Sequence, residues 1–355
     1  MDIKQLGFDK WFSDRVDSER SPAYEIARVT AVSKESALVS NSRINVFAEM
    51  SGKLMFSAQS SLDYPTVGDW VYAQFFDNGS FAVIHEIIPR RSLLKRKTSG
   101  KKIDFQLIAS NIDTAFIIQS FGSDYSIRRL ERYLVMVNEG GITPVVLLSK
   151  SDLATSQEIE SSMEQIHKLM PDIEIITFSS KNGSGMEKIE KLMAPGKTFC
   201  LLGSSGVGKT TLLNSLVSEE LFETQEVREK DGKGRHTTTR RQLITLKNGA
   251  MVIDTPGMRE LGNFATETGL TDTFSEIAQL SEECFYKNCT HTSEKGCAIL
   301  LALKGGALSE ERYQNYVKME RESAYNEMSY LQKRERDREF GKLCKSVIKS
   351  KKNRK

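Results

Sequence analysis

The sequence predicts a multidomain α/β protein, with an N-terminal β-barrel, a central parallel-sheet domain and a C-terminal helical domain. Three observations predict it. Short β-rich segments separated by turn residues fill roughly the first 90 residues. From about Ile103, strand and helix patterns alternate, which implies parallel strands with helices on both faces. From about Gly262 the pattern is helical, apart from a cysteine-rich knot at Cys284–Cys297. The expected domains are residues 1–92, 103–262 and 263–355.

Composition agrees. At 355 residues, 39% apolar and 27% charged, the chain suits two or three globular domains and excludes collagen-like, disordered or disulfide-dense classes. No apolar run approaches the ~20 residues of a membrane helix. The first residues, with Asp2, Lys4, Asp9 and Lys10, are unlike a secretory leader. The expectation is a cytoplasmic protein without membrane contact, whose five cysteines are thiols or metal ligands. Charge is uneven: the net +3 includes +8 within Leu331–Lys355. A second run, Arg90–Lys102, holds seven basic residues among thirteen and no acid. Such runs suit a phosphate backbone, or are a solvated tail and linker.

The first domain contains β segments at Glu25–Val32, Ser36–Val39, Arg43–Ala48, Trp70–Phe75 and Phe81–Ile87, punctuated by Ser51-Gly52, Pro65 to Asp69 and Asp77-Asn78-Gly79. Five short strands suit a small closed barrel, OB-like in the first instance; an SH3-like barrel fits the same signals. Trp70, Tyr72, Phe75 and Phe76 are available either to the core or for stacking on bases.

In the central domain, strands are expected at Asp113–Gln119, Thr143–Leu148, Glu174–Phe178, Thr198–Leu202 and Met251–Ile253. Helices are expected at Arg128–Asn138, Gln157–Leu169 and Met186–Met193. The last long helix is expected to start at Ser309, an N-cap followed by Glu310 and Glu311.

Residues Gly203, Ser204, Ser205, Gly206, Val207, Gly208, Lys209 and Thr210 match G-x-x-x-x-G-K-[ST] between an apolar strand and a helix that continues through Thr211. That context marks a P-loop. Its glycines let backbone N–H groups turn onto phosphates, Lys209 reaches the β/γ oxygens, and the Thr210 hydroxyl ligates Mg²⁺. Asp254-Thr-Pro-Gly257 follows a strand some 45 residues later, which makes Asp254 the second Mg²⁺ residue and the Gly257 amide a γ-phosphate sensor.

Base choice is written in Ser149-Lys150-Ser151-Asp152, at another strand end. A carboxylate there accepts two hydrogen bonds from guanine, whereas adenine presents it with a lone pair. The Lys150 stem can lie along the base, and Ser180-Lys181 brings a backbone N–H near the guanine oxygen. Met258 stands where many GTPases carry a water-orienting glutamine, so another group must serve. His236, in the Thr-rich segment between the P-loop and Asp254, is the candidate, with one of Thr237–Thr239 closing on Mg²⁺.

The base motifs precede the phosphate motifs, the reverse of the common GTPase order, and this resembles the circularly permuted GTPases. With Asn111-Ile-Asp113, the Gly-Arg235-His236-Thr stretch, the barrel and the cysteine knot, residues 22 to 320 resemble the ribosome small-subunit-dependent GTPase A (RsgA) family. The resemblance implies a GTP/GDP-binding hydrolase acting in late maturation of the small ribosomal subunit, with that subunit and its rRNA as partners; the chain itself is expected to be a monomer. It also points to His236 as catalytic. One departure is Ser149, where many members have Asn.

Cys284-x4-Cys289-x-His291-x5-Cys297 supplies three thiolates and one imidazole, a set suited to structural zinc, one ion per chain. The family resemblance implies the same site. Cys200 reads as core and Cys344 as a free thiol; His85 and His167 read as structural or surface. Two other readings stay open on the residues alone: a P-loop ATPase or kinase fused to an RNA-binding barrel, and a non-catalytic guanine-nucleotide switch.

Overall fold

A computed structural model of the protein describes residues 2–17, 19–20, 23–33, 36–97, 105–122, 124–217, 241–254 and 267–328, with 332 and 338. A helical turn, α1 (Lys10–Ser13), precedes five strands: β1 (Glu25–Val32), β2 (Ala37–Ser40), β3 (Asn45–Met50), β4 (Trp70–Phe76) and β5 (Phe81–Ile87). They pair in the order β1-β2-β3-β5-β4, and β4 returns to β1 to close the barrel. The β3–β5 pair is parallel and the short helix α2 (Gly52–Ser57) fills the β3-to-β4 connection. That arrangement resolves the barrel in favour of the OB type.

Small side chains make the narrow barrel possible. Ala27, Val29, Val39, Ala48, Val71, Ala73, Ala82 and Ile84 fill its interior. Alternation sends Trp70 and Tyr72 to the outer face, where Phe8, Phe12 and Ile88 cover them. Both aromatics are therefore core, and of the four considered for base stacking Phe76 is the most exposed, at 39%.

The run Arg90–Lys97 is not a solvated linker. β6 (Leu93–Lys97) forms a hairpin with β7 (Phe105–Ser110). Arg90 makes a two-pronged pair with the buried Asp69, with both N···O distances 2.8 Å. Arg91 bridges Asp9 at 2.6 Å and Asp113 at 2.8 Å, and Lys95 meets Glu139 at 3.3 Å. These cations neutralise internal carboxylates, which is why a basic run folds back into the structure.

The central sheet follows: β8 (Thr114–Ser120), α3 (Ile127–Glu139), β9 (Thr143–Ser149), α4 (Ser156–Leu169), β10 (Glu174–Thr177), α5 (Met186–Leu192), β11 (Thr198–Leu202), α6 (Lys209–Val217), β12 (Arg241–Thr245) and β13 (Met251–Asp254). Its order is β10-β9-β8-β11-β13-β12. The first five are parallel and, being buried on both faces, read as apolar runs such as Ala115–Ile118. One face packs Leu130, Tyr133, Leu134 and Val137 of α3 with Ile166 of α4. The other packs Ile189 of α5 with Leu212, Leu213 and Leu216 of α6.

β12, which the sequence pattern did not announce, is antiparallel to β13 and pairs on its far edge with β1, Ala31 opposite Gln242 and Val32 opposite Arg241. Barrel and central domain thus share one 11-stranded sheet. Arg28 of β1 is wholly buried at this junction and donates to the Leu6 carbonyl, the Asn111 carbonyl and Thr198 Oγ1. Burial lowers its pKa to about 10. Asn111 and Asp113 belong to this junction too: Asp113 takes Lys197 Nζ at 3.0 Å and the Thr198 amide at 2.9 Å.

Four helices complete the described chain: α7 (Glu267–Thr273), α8 (Ser275–Glu282), α9 (Ala298–Gly305) and α10 (Glu310–Glu327). Ser309 caps α10, accepting from the Arg312 amide. Leu270, Phe274, Ile277, Ile299, Tyr313 and Val317 form their core, which extends onto Val135 of α3. Arg312 crosses the same interface to Glu131 at 2.6 Å, and burial pushes the Glu131 carboxyl up against the opposing pull of Arg312 and Asn315. Among the described residues, no helix is long and apolar enough to cross a membrane.

Candidate nucleotide site and metal centre

The C-terminal ends of β8, β9, β10, β11 and β13 open on one side of the sheet, the place where open α/β sheets bind ligands. The loop Gly203–Gly208 leaves β11 and enters α6 at Lys209. Gly203 has φ 151° and a Cβ there would lie 2.4 Å from the Ile118 carbonyl oxygen, so only glycine lets the loop lie against β8. Gly208, at φ 94°, turns the chain into the helix. Lys209 Nζ donates to the Gly203 and Ser204 carbonyls at 2.8 and 2.6 Å, which holds the ammonium over the loop. Thr210 and Thr211 are exposed in the first turn of α6, and Asp254 ends β13 on the same side. Cys200, beneath the loop, is core: burial pushes its thiol up to about 12.

Two further loops complete the rim. Ser149 ends β9 fully buried, and its hydroxyl donates to the Val207 carbonyl at 2.7 Å. Lys150 adopts φ 60°, which turns the chain so that Asp152 stands exposed at the strand end. Asp152 Oδ1 accepts from the Ser179 hydroxyl at 2.6 Å. Ser179 in turn accepts from the Lys181 amide at 3.2 Å, and the Ser151 amide donates to the Phe178 carbonyl at 3.1 Å. Ser149, Lys150, Asp152, Ser180 and Lys181 are thereby brought together beside Gly203–Thr211. Sequence reasoning assigned roles to Ser180 and Lys181 but none to Ser179, the first member of the same Ser179-Ser180-Lys181 motif. Asp124, which accepts from the Ser204 hydroxyl, had no sequence signal.

His236, Thr237–Thr239, Gly257 and Met258, and the basic tail with Cys344 apart from residues 332 and 338, lie outside the described residues. His85 lies on β5, its ring 4.5 Å from that of Tyr24, and burial lowers its pKa. His167 is exposed on α4.

Cys284, Cys289, His291 and Cys297 converge, with all four ligand atoms within 4.8 Å of one another. Cys284 Sγ and Cys297 Sγ are 3.9 Å apart, and each is 3.6 Å from His291 Nδ1. A tetrahedron with metal–sulfur bonds of ~2.3 Å has edges of about 3.8 Å, so the residues fit a four-coordinate ion. His291 reaches in from a left-handed backbone at φ 58°. Glu294 closes that turn by accepting from the Thr290, Thr292 and Ser293 amides at 2.8 to 3.0 Å. These bonds, the Thr290 hydroxyl's first among them, hold its carboxyl far below the usual range. Tyr313 of α10 donates to the His291 carbonyl at 2.6 Å.

A family model described as RsgA GTPase matches residues 87–264. The small ribosomal subunit biogenesis GTPase RsgA 2 of Vibrio parahaemolyticus is 36% identical over 355 residues, covering 99% of this chain and 94% of the relative. That of Lactiplantibacillus plantarum is 43% identical over 286 residues, or 80% of this chain and 79% of the relative. Among solved structures, YjeQ from Thermotoga maritima matches with TM-score 0.62 and 24% identity, covering 84% of this chain and 98% of that one. YloQ, described as a circularly permuted GTPase, matches with TM-score 0.60 and 23% identity, covering 89% of this chain and all of the other. These two structures bear on the fold.

Proposed function

Since the chain belongs to the RsgA GTPase family, we propose that it is a GTP hydrolase that binds the small ribosomal subunit and couples hydrolysis to the subunit's late maturation and its own release. One observation carries the reading: the phosphate loop and the carboxylate of Asp152 share one rim and are tied together through Ser149 and Val207.

Roles follow from chemistry. Asp152, oriented by Ser179, accepts from the guanine ring N–H and amine, with Lys150 along the base and the Ser180-Lys181 backbone near the guanine oxygen. The Gly203–Gly208 amides and Lys209 hold the phosphates. Thr210 and Asp254 are the residues for Mg²⁺, which when bound neutralises charge on the β- and γ-phosphates. The Gly257 amide senses the γ-phosphate, and His236 orients the attacking water in place of a glutamine. The ion of Cys284, Cys289, His291 and Cys297 is zinc in a structural role, since four protein ligands leave no open position. Residues 1–92, 103–262 and 263–355 act as barrel, GTPase and metal-bearing units. The barrel and the basic tail face rRNA.

Cosedimentation with purified small subunits tests this reading. The full chain should pellet with them in a non-hydrolysable GTP analogue at fixed salt and release in GDP. Equal pelleting in both nucleotides would refute the coupling.

A further inference from the structure

A carboxylate stands beside the phosphate loop, where an anion-binding loop would ordinarily exclude one. Asp124 precedes α3 and accepts from the Ser204 hydroxyl through Oδ2. Its Oδ1 takes Arg129 Nη1 at 3.0 Å, and its carbonyl takes Arg129 Nη2 at 2.6 Å. The guanidinium cancels the charge that would repel phosphate, and leaves Asp124 a fixed acceptor. Gln119 fixes the same loop from β8, exchanging bonds with the Ser126 amide at 2.9 Å and its carbonyl at 3.1 Å.

What Asp124 holds matters for the cation. Lys209 Nζ is located by two carbonyl oxygens, those of Gly203 and Ser204. Their direction depends on the orientation of the peptides around Ser204, whose side chain is tied to Asp124. Resting on the reading of Gly203–Thr210 as the phosphate loop, we propose that Asp124 is a positioning residue: through Ser204 it sets where the Lys209 ammonium meets the β- and γ-phosphates. Phosphate affinity then depends on a residue some 80 positions upstream of the loop, in the segment leading into the helix that carries Glu131 and Val135 at the interface with the C-terminal helices.

The test uses the full chain and two ligands, GDP and guanosine. Asp124→Ala and Ser204→Ala should each weaken GDP roughly tenfold, the scale of one charge-assisted hydrogen bond. Guanosine affinity should stay at the wild-type value, because the pocket at Asp152 is untouched. The double variant should lose no more than either single one, and Asp124→Ala should cost nothing further in a Lys209→Ala background. Unchanged GDP affinity, an equal loss for guanosine, or a further loss without Lys209 would each overturn the proposal. Ser204→Ala keeps the Asp124–Arg129 pair, so it carries the test alone if Asp124→Ala does not fold. A wild-type chain that bound no GDP, or a Lys209→Ala chain that bound it normally, would instead refute the reading of the loop.

Discussion

The hydroxyl of Ser149 donates to the carbonyl of Val207 at 2.7 Å, across 58 residues of chain, and so fastens the end of β9 to the loop Gly203–Gly208. The family resemblance places Asn at this position in many members. A serine hydroxyl offers one donor here, where an amide would carry both an NH2 and a carbonyl oxygen. Because the site is 3% exposed, nothing in solvent can replace the bond.

Ser149→Ala should therefore lower GDP and GTP affinity alike, by roughly three- to tenfold, the cost of leaving one buried carbonyl without its donor. Fluorescent-nucleotide titration reads the effect. An affinity equal to wild type would show that the loop is set elsewhere.

Asp152→Asn should reduce the preference for GTP over ATP, because an amide nitrogen faces the guanine N–H where an acceptor is needed. Competition between the two nucleotides measures it. Preference retained at the wild-type ratio would remove Asp152 from base recognition.

His236→Ala should lower turnover far more than GTP affinity, since water is oriented only on the way to the transition state. Single-turnover hydrolysis set beside equilibrium binding separates the two. Unimpaired turnover would leave His236 a loop residue.

Much of this site was legible in the sequence because its motifs are local. The P-loop, Ser149–Asp152 and the Cys284–Cys297 knot each lie within one loop and its flanking element, so spacing alone carries the chemistry. The contacts that join them are tertiary. Ser204 with Asp124, and Arg28 with Thr198, are 80 and 170 residues apart, and no pattern along the chain announces them. β6 was hidden for a different reason: Lys95, Arg96 and Lys97 read as a linker, yet Lys95 pairs with Glu139 and Arg96 with Gln106. β12 lies antiparallel to β13 at the edge of an otherwise parallel sheet, and its other edge is covered by β1 of the barrel, a pairing between distant segments that no local pattern marks.

Metal removal should act on the C-terminal helices and spare the nucleotide pocket. Chelation, or Cys289→Ser, should destabilise α8 to α10, because binding of the proposed ion would be part of the folding free energy of these helices. GDP affinity should remain, since the residues proposed for the pocket all precede about 260. Metal analysis should find one zinc per wild-type chain and less in the variant. A wild-type chain that is fully folded without metal would contradict the structural role.

Subunit-coupled GTP hydrolysis is measured most directly as turnover by the full chain with and without purified small ribosomal subunits, run beside ATP and beside Lys209→Ala. Intrinsic GTP turnover should be slow and should rise when subunits are added, with little turnover of ATP and none above background in the variant. Turnover indifferent to the subunit, or shared equally by ATP, would contradict it.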